Sequence, residues 1–581
     1  MSEFSIFGKY LYYDLSKEFI CFTKDELNKA LNFMQNRKNE YFVGYLTYDM
    51  DENNPSYPIA HFKGYRNKEI FKPKNSFKFS LFKPYFYPQI LKNLSKKEYE
   101  NAFAHIKNEL ASGNSYQINF TSELQISTKV SSDDIIATLL NRQKSRYFGY
   151  FKSQFCEIIS FSPELFFKLK GKNITFAPMK GTIRRGQNKN EDKALKAKLK
   201  NDPKNRSENL MIVDLLRNDM SKIIKIGSLH IKKPMKIIKL KTLFQAISPL
   251  KAKLKNRNLS KIFNAVFPCG SITGAPKLAT MRIIKRLEDR ERGVYCGAMG
   301  VINANKAIFS VPIRTLEKRF NQDFYRYGVG SGVVWDSKCN DEFVELELKS
   351  SFLYPKMEFE LFETMLLRGD KIFLLQNHLK RVINSAKLLG FKLPIEFDFD
   401  DIDESVLKFC DIIGGINSQS GFESISKFRN IFANLKPSNG DTRVNLILSK
   451  SGEFKIIQTQ IPPINSNKIA ISQNRLNSCN DLLYHKTTLR DEHIVNDGLF
   501  DIFYLNERDE LCEGSRSNIV LNIDGKFLTP KLQSGMLPGT LREKLLKSGE
   551  IQEDILSLDD LKNAKEIYAI NSLRGAIKVE L

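Results

Sequence analysis

The apolar pattern of this chain stops and starts afresh once, and that break limits its fold more than any single residue does. Strand- and helix-like segments continue to "FVELELKSSFLYPKM", and a new strand-like run opens at "FELFETMLLRGDKIFLL", residues 359–375. The boundary is placed near Met357, giving a first unit over 1–356 and a second over 357–581. With 581 residues in all, each unit has material for a buried core.

Residues 1–95 hold short aromatic and β-branched runs, such as "YFVGYLTYDM" and "FKFSLFKPYFY", between polar turns, which predicts mostly strand. "SKKEYENAFAHIKNELASG" (95–113) predicts a helix that Ser95 caps and Gly113 ends. "SYQINFTSELQIS" predicts a strand, and "CEIISFSPELFFKLKGKNITFAPMKG" two strands joined by a Gly-Lys-Asn turn. "SENLMIVDLLRNDMSKI" predicts a helix, and the second unit alternates helices and strands.

Ninety Lys+Arg against 66 Asp+Glu leave a net charge of +24. The excess is spread through runs such as "LKAKLKNDPKNR" and "LHIKKPMKIIKLK", which apolar residues interrupt. No basic tail, zinc-finger spacing or RNA-binding aromatic motif accompanies it, so nucleic acid is not an expected partner. An anionic small molecule would still gain from the positive field. The eight cysteines form no CxxC pair and the six histidines no HExxH cluster, so reduced, structural thiols are expected, and carboxylates as the ligands of any metal. No apolar run reaches the roughly 18–20 residues that span a bilayer, and the N-terminus lacks a signal-peptide layout. A soluble cytoplasmic protein without a membrane partner is expected.

Lys180 follows the apolar Ala177-Pro178-Met179 and precedes a Gly181-Thr182 turn. From these residues alone it is either a surface charge or an amine placed to react. Glu208 opens a helical run, and Glu342 and Glu345, three apart, share a helical face. Carboxylates from distant segments suit Mg²⁺, although the residues alone favour a solvated helix face for each glutamate. "GSITGAPK" and "YGVGSGVV" are glycine-rich and can be anion-binding loops or plain turns. Arg314, in a strand-like run, has the setting of a carboxylate partner, whether of a ligand or of a structural acid. In the second unit, Lys486, a lone acid in "DELCEGSRSNIV" and the turn-to-helix run "GMLPGTLREKLL" are the parts that pyridoxal phosphate needs.

Between about Ser95 and Phe352, "SYQINFT", "SFSPELFF", "PMKGTIRRG", "RSENLMIVDLLRNDMSKI", "FPCGSITGAPKLATMRII", "RGVYCGAMG", "VPIRTL", "YGVGSGVVWDS" and "EFVELELK" occur in the order of the chorismate-utilising enzymes, which this unit resembles. The resemblance implies that Glu208 and Glu345 hold Mg²⁺, with Glu342 helping through water. Thr273, Tyr295, Arg314 and the backbone of Gly330, Ser331 and Gly332 would bind the enolpyruvyl carboxylate. Glu164 would be general acid or base at the leaving hydroxyl. Pro178-Met179-Lys180-Gly181-Thr182 is similar to the aminodeoxychorismate synthase stretch, where the lysine attacks the ring carbon beside the ring carboxylate. Burial and a nearby cation would ready its amine. Two departures stand out: Gln245 lies where many relatives have His, and the segment before Ser95 matches no regulatory pocket.

Residues 359–581 resemble the class IV pyridoxal phosphate family through "FELFETM", "NHLKRVINSAKLLGF", "YHKTTLR", "ELCEGSRSNIV" and "TPKLQSGMLPGTLRE". Lys486 would form the Schiff base and move protons, and Glu513 would face the pyridine nitrogen. Arg381, Gly539 and Thr540 would hold the phosphate, and Asn518 would support the ring. "YHKTTLR" and "EGSRSN" look most like 4-amino-4-deoxychorismate lyase, where relatives often have Arg at the position of Leu489.

The implied fold is α+β / α/β, a β-sandwich-like chorismate-binding domain fused to a two-subdomain class IV aminotransferase fold. The implied function is amination of chorismate followed by elimination of pyruvate to give p-aminobenzoate, the aromatic precursor of folate. Ammonia would come from a separate glutamine amidotransferase subunit or from solution. Dimerisation through the second half, as in its relatives, is left open. The alternative is an anthranilate-synthase-like domain fused to a class IV amino-acid transaminase.

Overall fold

The computed structural model describes residues 3–50, 57–72, 86–186, 188–239, 243–304, 306–355, 358–369, 371–393, 435–436, 438–490 and 498–581. Met357, Cys410 and most of the "FKFSLFKPYFY" run lie outside them. Two compact units emerge, and they are not contiguous in sequence. The first comprises Met1–Lys78, Lys92–Ile126 and Leu139–Leu353; the second Phe79–Leu91, Ser127–Thr138 and Tyr354–Leu581. Among the described residues no helix is long and apolar enough to cross a membrane, and the described cysteines are free.

In the first unit 17 strands join one sheet, more than a single open layer usually holds. Its apolar side chains accordingly gather in two clusters, one around Phe166, Phe263 and Phe309 and one around Tyr45, Tyr65 and Phe151. The predicted helix is Lys96–Ala111, where Ser95 and Glu98 form a reciprocal capping box. A second helix, Lys24–Met34, replaces strand expected in the first 95 residues. Thr23 and Glu26 cap it, and Leu27, Ala30, Leu31 and Met34 recur at helical spacing and are buried. The two strands expected over 156–181 are four: Cys156–Ser162, Leu165–Lys170, Asn173–Ala177 and the start of Met179–Arg184.

The strand Tyr325–Val334 pairs with Gln117–Ser127 so that Gly330 faces Thr121 and Gly332 faces Asn119. "YGVGSGVV" is therefore a strand interior and not a loop. Its glycines admit neighbours: a Cβ on Gly332 would stand 2.5 Å from Gln117 Nε2 and 3.0 Å from Lys180 Nζ. Arg314 lies in the loop before Thr315–Arg319, in left-handed backbone with φ 54°, and not in a strand.

The second unit has a four-stranded antiparallel sheet around Leu361–Gly369 and Ser438–Leu448, with the helix Leu375–Leu388 packed on it. A three-stranded and a five-stranded sheet follow. One core gathers around Met365, Leu379 and Val444, another around Phe503, Ile519 and Leu521, as a two-subdomain fold requires. Glu513 lies inside the strand Leu511–Gly514 and not in a turn, while the predicted Pro-Gly-Thr entry leads into the helix Thr540–Lys547.

Arg292 is 2% exposed, and its guanidinium bonds Glu288 at 2.6 and 2.9 Å and the Ile272 and Asn119 carbonyls at 2.8 Å each. It thereby ties the "GSITG" turn to the strand opposite Gly332. Removing one partner of a buried pair strands the other charge. Arg292→Met is expected to destabilise the first unit by about 3–5 kcal/mol, and adding Glu288→Gln to recover part of that. Urea unfolding followed by the fluorescence of Trp335, the single tryptophan, isolates this unit.

Candidate active sites

Glu164 ends the turn after the strand Cys156–Ser162 and is 4% exposed. Its backbone N–H donates to Ser162 Oγ at 3.2 Å and its carbonyl accepts from Val311 at 3.2 Å, so the side chain leaves from a fixed point. Ser271 Oγ donates to Glu164 Oε1 at 2.8 Å, and Cys269 Sγ lies 3.2 Å from that hydroxyl. Burial pushes the Glu164 carboxyl up to about 7, against the pull of the Ser271 bond and of the Lys180 and Lys349 charges.

Lys180 lies on the strand Met179–Arg184, which pairs with Leu243–Ile247. The register slips between Met179 and Thr182, where Lys180 and Gly181 together oppose the single residue Ala246. This β-bulge, with Gly181 at φ 87°, re-aims the Lys180 side chain. The lysine is half-buried, and its Nζ reaches Gly332 and feels the Glu164 charge. Gln245, across the same pairing, is buried with its Oε1 unbonded; Gln117 Oε1 and Arg314 Nη1 are likewise buried without a partner. Unpaired buried polar atoms are rare in folded proteins, and here a donor and two acceptors would be satisfied by a polar ligand. Burial pushes the Arg314 guanidinium down.

The remaining first-unit candidates divide. Ser331 is fully buried, 3.4 Å from the Tyr99 hydroxyl. The Thr273 hydroxyl donates within its own turn, to the Cys269 and Gly270 carbonyls at 3.3 Å each. Tyr295 lies with its ring on Gly328, and burial holds its phenol well above the ordinary range. The glutamates do not form the expected set of three. Glu342 is 2% exposed and accepts Ser337 Oγ at 2.7 Å, whereas Glu345 is exposed and pairs with Lys349 at 2.6 Å. Glu208 is half-buried on the helix Pro203–Ser221. Among the described residues no three His, Cys, Asp or Glu side chains converge as a metal site. The three-glutamate set therefore does not fit Mg²⁺ as arranged, because Glu342 turns inward and a lysine holds Glu345. Lys349 itself, one helical turn after Glu345 and donating to the Gly330 carbonyl at 2.5 Å, is a cation the sequence reading missed.

In the second unit, Lys486 Nζ lies 4.7 Å from the Phe362 ring centroid. Burial, then the Arg381 and Arg490 charges, push its amine down to about 7. Glu513, 2% exposed, accepts the Leu537 N–H at 3.0 Å and lies 3.6 Å from Arg490 Nη1. Arg490 Nε and Nη2 are buried without a partner. Arg381 donates to Glu363 at 2.8 and 2.5 Å and to the Pro538 carbonyl at 2.8 Å. Burial would raise the Glu363 carboxyl, but Arg381 and His378 hold it at about 2. His378 Nδ1 lies 2.6 Å from Glu363 and its Nε2 3.3 Å from Thr540 Oγ1, linking Arg381 to the N-terminus of the helix Thr540–Lys547. Asn518 Nδ2 donates to the Leu537 carbonyl at 3.0 Å, and its Oδ1 would stand 1.9 Å from a Cβ on Gly539. All six second-unit candidates thus share one neighbourhood with Glu363, His378 and Arg490. These three were missed because a buried polar residue in an amphipathic run carries no mark of its own. Leu489 packs against the apolar core.

Residues 83–355 match the chorismate binding enzyme family, and residues 360–581 match amino-transferase class IV. The two matched stretches follow one another along the chain, each covering less than half of it. Over 268 residues it is 35% identical to aminodeoxychorismate synthase component 1 of Bacillus subtilis (strain 168), covering 46% of this chain and 57% of the relative. It is 31% identical over 268 residues to anthranilate synthase component 1 of Aquifex aeolicus (strain VF5), covering 46% and 54%. The chain therefore spans little more than half the length of these relatives. The crystal structure of anthranilate synthase component I from Streptococcus pneumoniae TIGR4 superposes with a TM-score of 0.52 at 20% identity, over 61% of this chain and 93% of that one, a likeness of fold. Class IV membership implies pyridoxal phosphate. The donor set fits it: an amine near neutrality, a buried carboxylate, unpaired guanidinium N–H groups and a helix N-terminus.

Because Ser271 donates to the Glu164 carboxylate, its removal raises the pH at which Glu164 ionises. In Ser271→Ala the limb of the first-unit pH–rate profile that reports Glu164 is expected to move up by about one pH unit. Ser271→Thr, which keeps the hydroxyl, leaves it in place.

Proposed function

We propose that the chain converts chorismate and ammonia to p-aminobenzoate and pyruvate, the first unit aminating the ring and the second eliminating pyruvate. The observation that carries this reading is Lys180: an amine turned by a bulge toward Gly332, within the field of a carboxyl that still holds a proton near neutral pH. A surface charge would have neither neighbour. Anthranilate synthases resemble this stretch but carry alanine at the lysine position.

In the first step the Lys180 lone pair bonds the ring carbon beside the ring carboxylate. Both conjugated ring double bonds shift and the 4-hydroxyl leaves, taking the Glu164 proton to depart as water. Ammonia then bonds the vacated carbon, the double bonds shift back and Lys180 departs with its electron pair. Glu164, now ionised, takes the surplus proton. Arg314, with its unpaired Nη1, and Lys349 are the cations for the two substrate carboxylates, with Thr273, Tyr295 and the Gly330-Ser331-Gly332 strand framing the enolpyruvyl group. A divalent cation, which the glutamates as arranged do not hold, would need Glu345 freed from Lys349 and joined by Glu208, and no step is routed through it.

In the second unit pyridoxal phosphate, when bound, supplies an electron sink. Lys486 would hold it and then, losing its own charge as the pH rises through about 7, take the ring proton. Glu513 keeps the cofactor's ring nitrogen protonated, Arg381 and Gly539-Thr540 anchor its phosphate, and Asn518 fixes the strand beside it. Loss of pyruvate leaves an aromatic ring, which makes the elimination downhill. The proposed setting is cytoplasmic, with ammonia from a separate glutamine amidotransferase subunit or from solution and a homodimer formed through the second unit.

Incubation with chorismate, ammonium, Mg²⁺ and pyridoxal phosphate is expected to yield p-aminobenzoate and pyruvate in equal amounts; anthranilate as sole product overturns the reading. Lys180→Ala is expected to cut amination at least about a hundredfold while elimination from supplied aminodeoxychorismate continues. Lys486→Ala should abolish the visible absorbance of bound cofactor and the elimination, with amination intact.

A further inference from the structure

The second unit includes Ser127–Thr138, far upstream in sequence of Lys486. Asp481 opens the short 3-10 turn Asp481–Tyr484 and is fully buried. Its Oδ2 accepts Thr128 Oγ1 at 2.6 Å, and its Oδ1 accepts the Lys129 backbone N–H at 3.1 Å. Thr128 Oγ1 in turn accepts the Val130 N–H at 3.1 Å, so the hydroxyl proton is committed to Asp481. Lys129 Nζ lies 3.3 Å from the centre of the Tyr484 ring, and the Tyr484 hydroxyl donates to the Ser478 carbonyl at 2.8 Å.

Capping does not account for this buried acid, because Asn480 already caps the turn by accepting the Leu482 N–H at 3.1 Å. A fully buried carboxylate is unfavourable unless its oxygens are hydrogen-bonded. Here both Thr128 and Lys129, which donate to it, come from the upstream segment. The lysine-bearing segment has two further anchors downstream of Asp481. His485 Nδ1 meets Ser385 Oγ at 2.9 Å, on the helix that carries Arg381, and the Lys486 carbonyl accepts the Phe362 N–H at 3.0 Å. Those two, with the Thr488 N–H on the Glu360 carbonyl at 2.9 Å, hold the end of the segment; before Asp481, Ser478 is held by Glu507 at 2.8 Å, and Asp481 itself is held by Thr128 and Lys129.

We propose that Thr128 and Lys129, through Asp481, are positioning residues for Lys486, so that the second site is completed by a segment encoded within the first half of the chain. This rests on the function proposed above for the second unit. The physical case is one of leverage: only four residues separate Asp481 from Lys486, and a reactive group misplaced by about 1 Å loses rate steeply. Burial pushes the Asp481 carboxyl up to about 6, still ionised at neutral pH, which keeps both bonds charge-assisted.

The test uses the full chain with Thr128→Val, Thr128→Ser and Asp481→Asn. Hydrogen exchange of the peptide covering 478–490 is followed in cofactor-free protein, and pyridoxal phosphate affinity by its visible absorbance. Thr128→Val and Asp481→Asn are expected to speed exchange about tenfold and to weaken cofactor binding, with chorismate amination retained. Combined, they should be no worse than the poorer single variant. Thr128→Ser, which keeps the hydroxyl, should match the parent. A Thr128→Val chain that exchanges and binds like the parent overturns the proposal, as does a Thr128→Ser chain as impaired as Thr128→Val. If Asp481→Asn fails to fold, the Val/Ser pair decides. A parent chain that never binds pyridoxal phosphate sinks the function of the second unit, while the exchange measurement still decides on the latch.

Discussion

Desolvation of one ionisable side chain is the constraint on which each site depends. Glu164 is pushed up to about 7 and Lys486 down to about 7, from opposite sides and with burial the leading cause in both. A carboxyl and an amine thus reach the same working range by the same means, loss of water around the charged form. The neighbours then differ in sign. Glu164 has a hydroxyl and two lysines that favour its anion and keep burial from locking the proton on. Lys486 has two arginines that reinforce burial, and two carboxylates, Glu363 and Glu513, that oppose it. Each group is held near the point where its proton is exchangeable, the condition for acid–base work at neutral pH.

Keeping these groups dry and aimed falls to backbone features that carry no charge. Gly332 admits Lys180 and Gln117 to one spot, Gly539 admits the Asn518 carboxamide to a helix N-terminus, and the bulge at Lys180-Gly181 sets one side chain off the sheet's alternation. The first unit also carries buried polar atoms with no partner, Arg314 Nη1 and the Gln117 and Gln245 carboxamide oxygens. Each costs roughly 1–3 kcal/mol while unpaired. A fold that tolerates them has placed that cost where a ligand with an acceptor for Arg314 and donors for the two carboxamide oxygens would relieve it.

Much of this was legible in the sequence where the signal is local. Ser95 and Glu98 announce a helix start because a cap needs only residues three apart, and the Pro-Gly-Thr entry to Thr540–Lys547 is equally local. What escaped depends on pairing between distant segments. The Lys180 bulge exists only against Leu243–Ile247, so no reading of "PMKGT" alone could show it. "YGVGSGVV" read as loop because glycines usually mark turns, whereas here they serve close approach by Gln117, Thr121 and Tyr295. Ser271, Lys349 and Glu363 are ordinary in their local patterns and acquire meaning only from what lies across from them.

The glutamates show the same limit from the other direction. Spacing of three put Glu342 and Glu345 on one helical face, only about 60° of turn apart, yet one carboxylate goes inward to Ser337 and the other outward to Lys349. The inward acid is satisfied by a neutral hydroxyl and the outward one by a cation that also grips the Gly330 carbonyl. A divalent ion arriving at Glu345 would therefore have to displace Lys349, and the freed ammonium would lie beside the strand that frames the substrate. Metal and lysine thus compete for one carboxylate. The ammonium sets one positive charge against Glu345 and a divalent ion sets two, so that exchange would also free the Lys349 charge for the anionic ligand.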